Sequence, residues 1–178
     1  MLEVLIAAGL TSLVAVGALA FYDSAQRLYV QAVRATSTSQ DASTAIEHLR
    51  RNLLNAQEVR TPVVAGTPDL HQLLITYYPD PMDAGVTATM LYRQEQPAPG
   101  TVQLVWHPRW DPVLGADAAP PEILAASARD FRATDLAGQP LTAASVTVVA
   151  SLTVQTPGEA RDPFALVMTV NLRGRHID

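Results

Sequence analysis

Glu3 is the residue whose type and place in this chain most demand a chemical role. Val4 to Tyr22 behind it carry no charge, and the next charged residue is Asp23. A carboxylate at the rim of such an apolar run is costly in lipid, and among packed helices it needs a cationic partner. The chemistry this position suggests is charge pairing rather than catalysis. The other ionisable residues offer less. The four histidines, His48, His71, His107 and His176, have no metal-ligand spacing with one another, and Cys is absent. Asp80 and Asp83 are weak candidates for an oxygen-ligand calcium site, although a polar turn is the simpler reading. There is no Gly-rich phosphate loop and no nucleophile elbow. The hydroxyls of Thr11 and Ser12 are expected to bond back to helix carbonyls or across packed helices. Neither an enzyme nor a cofactor is expected.

The element that must position Glu3 is a helix. The nineteen residues from Val4 to Tyr22 would span about 28 Å, close to the ~30 Å of a bilayer's hydrocarbon core. A cleavable signal peptide fits poorly: the run is long, the basic n-region is missing and Glu3 has the wrong sign. The helical pattern also continues. From Tyr22 to Val59 there is no Pro and no Gly, although the chain has thirteen and nine of them. Apolar residues recur at helical spacing, first at Tyr22, Ala25, Leu28, Tyr29, Ala32 and Val33. A second set follows at Ala42, Ala45, Ile46, Leu49, Leu53 and Ala56. The helix is therefore expected from about Leu2 to about Gln57, with a Ser/Thr-rich stretch from Thr36 to Thr44 where it would fray or bend.

The opening Leu2-Glu3-Val4-Leu5-Ile6-Ala7 resembles the start of a type IV pilin or type II secretion pseudopilin. In that family a leader is removed after a Gly, and the fifth mature residue is a Glu. Glu3 would be that glutamate, two places early, so the sequence is expected to lack the leader and the first two mature residues. Pro is absent near the end of the apolar run, unlike many major pilins. That absence makes the chain more similar to larger minor, J-type or W-type members. Leu49-Arg50-Arg51-Asn52-Leu53 and the stretch from Arg129 to Pro140 add to that likeness.

The resemblance implies a structural subunit of a filament assembled through the apolar helix. Leu2, Glu3, Val4, Leu5, Ile6, Gly9, Leu10, Leu13, Val14 and Gly17 would form the assembly segment, with Glu3 setting register by pairing with a neighbouring subunit's N-terminal amine. Gly9 and Gly17 would either weaken the helix or allow close packing of helices. The implied partners are copies of itself or other pilins, the inner-membrane assembly machinery, and the membrane before assembly. The implied location is the bacterial inner membrane, then an extracellular or periplasmic filament. Such filaments serve motility, adhesion, DNA uptake or secretion, and both shaft and tip positions stay open. The alternative is a membrane-anchored extracytoplasmic binding module that does not polymerise.

Net charge is −5 and all twelve cationic residues are Arg, without the clustered cations that direct nucleic-acid binding requires. Past Val59 the apolar period changes from 3.6 to 2. Strands are expected at 72–78, 87–93, 101–107, 130–135, 145–156 and 164–173. The last two alternate most cleanly and are joined by Pro157 to Pro163 as a long hairpin. Pro79–Gly85 and His107–Pro121 read as loops, the second laid on the sheet through Trp106 and Trp110. The expected class is α+β and pilin-like, one long helix packed on a mainly antiparallel sheet. Its parts are a filament-core or membrane segment at 1–22, an amphipathic continuation at 23–58 and a β-rich head at 59–178.

Overall fold

The computed structural model describes residues 1–80, 82, 86–156 and 163–172. Its helix α1 runs Leu2–Leu54, stopping short of the expected Gln57. The last turn tightens there: the N–H groups of Asn55 and Ala56 donate to the carbonyls three residues back, Asn52 and Leu53. Gln57 N–H then leaves the helix ladder for the Thr76 carbonyl at 2.8 Å. The chain divides into two units, Met1–Ser37 and Thr38–Asp178.

The first unit is helical from Leu2 onward, and its side chains are exposed from Leu2 to Arg34. The Ser/Thr-rich stretch does not break α1. Thr36 Oγ1 donates to the Ala32 carbonyl, and Ser43 Oγ to that of Ser39, each at 2.9 Å. These hydroxyls find acceptors on the helix itself instead of competing with it.

In the second unit α1 buries a single stripe: Thr38, Ala42, Ala45, Leu49 and Leu53. The intervals of three and four residues keep that stripe on one face. The strands, in chain order, are β1 (Glu58–Arg60), β2 (Val63–Val64), β3 (Thr67–Pro68), β4 (Gln72–Tyr77), β5 (Ala88–Ala98), β6 (Thr101–His107), β7 (Trp110–Asp111), β8 (Ala116–Asp117), β9 (Glu122–Thr134), β10 (Thr147–Val154) and β11 (Phe164–Asn171). Seven of them form one sheet in the order β1-β4-β5-β6-β9-β10-β11, with every neighbouring pair antiparallel.

The core lies between the α1 stripe and the sheet. Leu73, Ile75, Tyr92, Leu104, Phe131 and Leu152 are fully buried there with Leu49 and Leu53. Burying each such aliphatic or Phe side chain contributes about 1.5–3 kcal/mol. This is the expected α+β class, an arrangement consistent with the pilin-like fold the resemblance implies.

Three local expectations are corrected. The strand expected at 130–135 begins at Glu122, because pairing with β6 continues through register shifts that disturb the alternation. The segment leaving the helix contains the β2–β3 hairpin, whose turn places Ala65 (φ 51°) and Gly66 (φ 83°) in the left-handed region, as a two-residue turn of the primed type requires. His107–Pro121 is not a plain loop either. It holds the β7–β8 hairpin, with Trp110 opposite Asp117. The Asp111 carboxylate caps that turn by accepting the N–H groups of Val113 and Leu114 at 2.8 and 3.0 Å. The connection from Pro157 to Asp162 lies outside the described residues.

Candidate functional site

The residues expected to carry assembly all lie on α1. Leu2, Val4, Leu5, Ile6, Leu10, Leu13 and Val14 are exposed, from 55% at Ile6 to 73% at Leu2. None of the most apolar part of the helix is buried, and the helix is long and apolar enough to cross a membrane. Glu3 stands in its first turn, and no hydrogen bond or ion pair joins its carboxylate to another described residue. A Cβ added to Gly9 or Gly17 would meet nothing within 4 Å, so within this chain neither glycine makes room for a neighbour. Thr11 and Ser12 bond back to the carbonyls of Ala7 and Ala8 at 2.8 Å, which leaves no unsatisfied hydroxyl on the apolar surface.

The uncovered apolar surface does not stop at a membrane's length. Leu28, Tyr29, Val30 and Val33 are also exposed. Contiguous apolar surface of this extent marks an interaction face rather than ordinary surface scatter.

Of the two calcium candidates only Asp80 is described. Asp80 Oδ1 accepts the Met82 N–H at 2.8 Å, the geometry of a polar turn, and Asp83 lies outside the described residues. Among the described residues no group of three His, Asp or Glu could hold a metal ion. His176 is likewise outside them.

Two side-chain networks in the second unit were not apparent from the sequence. On the helix-facing side of the sheet, Asn52 Nδ2 donates to Tyr92 Oη at 2.6 Å, and Tyr92 Oη lies 3.0 Å from His48 Nδ1. An amide nitrogen can only donate, so the tyrosine oxygen accepts from Asn52 and its own proton is available to His48 Nδ1 in the tautomer that carries its proton on Nε2. That nitrogen is then an acceptor, and the neutral ring carries its proton on Nε2. Burial favours these neutral forms. It pushes the His48 pKa down, partly opposed by Glu122, and pushes the Tyr92 pKa up. The His48 ring meets Trp106 edge to face, with centroids 4.4 Å apart.

On the opposite side, His107 is 2% exposed. Its Nδ1 lies 2.7 Å from Asp117 Oδ1 and its Nε2 3.3 Å from Glu95 Oε1. Arg93 pairs with the same Glu95 oxygen, and its guanidinium lies 5.6 Å from the Trp110 ring centroid. Thr89 Oγ1 donates to the Trp110 carbonyl. Together these contacts hold the β7–β8 hairpin on β5 and β6. Trp106 and Trp110 therefore serve different faces, because Trp106 and His107 are adjacent on one strand and point to opposite sides.

Comparison with family models, with curated proteins and with solved structures gives no match. Functional reading therefore falls to geometry. The His48 network orders the core and the His107 contacts hold a hairpin, with His107 Nε2 left without a hydrogen-bond partner among the described residues. The apolar part of α1 remains exposed on the described chain. The sequence signal that marks the first network is His48 and Asn52, one turn apart near the helix end. Tyr92 and Trp106 carry no comparable local signal, because both lie inside ordinary strands.

Proposed function

We propose that this chain is a subunit of a type IV pilus-like filament, assembled through the apolar face of α1. The observation that carries the reading is the extent of that face: apolar side chains from Leu2 to Val33 are exposed, beyond the nineteen-residue uncharged run itself. An anchor alone would explain only the membrane-length part. Helix against helix explains both parts.

Before assembly, the first turns would hold the subunit in the inner membrane with the β-rich head outside the cytoplasm. In the filament, the same side chains would pack on the helices of other copies or of related subunits. Apolar surface then stays covered during the transfer, so its energetic cost is modest. Gly9 and Gly17, which meet nothing in the isolated chain, would become points of close approach between helices. Glu3 would pair with a cationic group of a neighbouring subunit, its N-terminal amine, and so fix the axial register.

The test compares fibres sheared from cells with detergent-extracted membranes, for the native chain and for Glu3→Ala. The native protein is expected in the sheared fraction. Glu3→Ala is expected to leave the head folded and the chain in the membrane, with incorporation largely lost. Finding the native chain only in extracted membranes would favour the non-polymerising anchored module. Normal incorporation of Glu3→Ala would remove the register role.

A further inference from the structure

A cleft of about 780 Å3 opens in the second unit where α1 ends. Its volume lies within the ~300–1,000 Å3 range of small-molecule sites. Three aromatic side chains, Tyr77, Tyr78 and Trp106, and three carboxamides, Asn52, Asn55 and Gln57, contribute to its lining. No charged side chain lines it among the described residues. From this composition we infer that the cleft binds a neutral saccharide.

A carboxamide offers both donors and an acceptor, and a tyrosine hydroxyl does both jobs. A ligand rich in groups that also donate and accept matches such a lining; a saccharide hydroxyl is one. The aromatic rings supply apolar faces with polar tips, suited to the C–H faces of a sugar ring.

Charge narrows the ligand further. An anionic ligand would find no cation in the lining, and the C-terminal end of α1 carries partial negative charge that opposes it. A cationic ligand would find no carboxylate. A proline-rich peptide also docks on aromatic grooves, but its main chain offers acceptors and few donors. It would leave the Asn55 carboxamide oxygen unmatched.

The wall is also preorganised. Asn52 donates to Tyr92 Oη, Tyr92 bonds His48, and His48 packs edge-on against Trp106. These contacts fix two lining residues before any ligand arrives, which lowers the entropy lost on binding.

The inference does not depend on polymerisation and is tested on the full chain in a detergent without a sugar headgroup. Titration calorimetry would use maltose, cellobiose, lactose and N,N′-diacetylchitobiose, with a proline decamer and a sulfated disaccharide alongside. At least one neutral sugar is expected to bind saturably in the millimolar range. Asn55→Ala and Tyr78→Ala, both at the helix-end or loop rim rather than in the core, should each weaken binding about tenfold, the equivalent of ~1.4 kcal/mol. Arg109→Ala, outside the cleft lining, should leave it unchanged. Thermal unfolding of each variant confirms that the head is folded. Absence of saturable binding by every neutral sugar overturns the inference. So does binding of only the decamer or the sulfated sugar, or an affinity unchanged in both lining variants.

Discussion

Tyr92 Oη sits 3.0 Å from His48 Nδ1, and this one contact joins the sheet to α1 through a hydroxyl with a fixed direction. Asn52 donates to the same oxygen at 2.6 Å, which leaves the hydroxyl proton available to the imidazole. Tyr92 is fully buried. A polar group at that depth stabilises the fold only when both of its roles are filled, and here both are.

Tyr92→Phe should therefore destabilise the head by about 1–3 kcal/mol, since it leaves an Asn52 donor and a His48 acceptor without their shared partner. Chemical denaturation of the full chain in detergent, followed by near-ultraviolet circular dichroism, measures it. The variant should also be less sensitive to alkali. Burial raises the Tyr92 pKa in the fold, so the native protein loses stability as pH rises above the unfolded phenol's value of about 10, and Tyr92→Phe lacks that contribution.

His48 predicts the opposite limb of the pH profile. Its folded pKa is depressed by burial, with Arg51 lowering it further and Glu122 opposing. Between the folded pKa and the unfolded value of about 6.5 the unfolded state binds more protons, so stability rises with pH. The contribution is fully present above about pH 6.5 and is lost as pH falls through the folded pKa. His48→Gln should flatten this part of the profile. An equally steep acid limb in that variant would assign it to other groups.

The helix and the final strand pair were legible because each repeats one period without interruption. Ala42, Ala45, Leu49 and Leu53 mark one helix face, and all four are buried. In β10, Val148, Ala150, Leu152 and Val154 alternate and are buried in the same way. The start of β9 was not legible. Ala125, Ala126 and Ala128 have weak strand preference, and the register shifts against β6 break the alternation. Tertiary pairing decides that segment. The small hairpin after His107 was hidden by its prolines, and its hold on the sheet depends on Asp117, ten residues away from the histidine it bonds. For the candidate site, the sequence marked the apolar run and Glu3, whereas the cleft depends on residues from α1, β4 and β6 that only the fold brings together.

Two leucines on the same helix should respond in opposite ways. Leu49 is fully buried in the head and Leu28 is 66% exposed. Leu49→Ala is expected to cost about 2–5 kcal/mol of unfolding free energy by leaving a cavity. Leu28→Ala should leave the unfolding midpoint of the head in place, because the native chain gives that side chain no packing to lose. On the filament proposal it should reduce the yield of sheared fibre. A full fibre yield from Leu28→Ala would confine the assembly face to the membrane-length part of α1.

The β7–β8 hairpin supplies the last prediction. His107 is buried with its Nδ1 2.7 Å from Asp117 Oδ1, and Asp117 is the hairpin's last residue. Asp117→Ala would leave a buried ring nitrogen without its partner, at a cost of about 1–3 kcal/mol. It would also leave Trp110 and Thr89 as the remaining attachments of the hairpin to the sheet, since Trp110 packs edge to face on His107 at 5.4 Å and accepts the Thr89 hydroxyl on its carbonyl. Amide hydrogen exchange should therefore accelerate from Trp110 to Ala118 with little change in β10, a pattern of local opening rather than global loss. Uniform acceleration across the sheet would instead make the His107–Asp117 pair part of the main cooperative core. Unchanged exchange in the hairpin would show that the Trp110 contacts alone hold it.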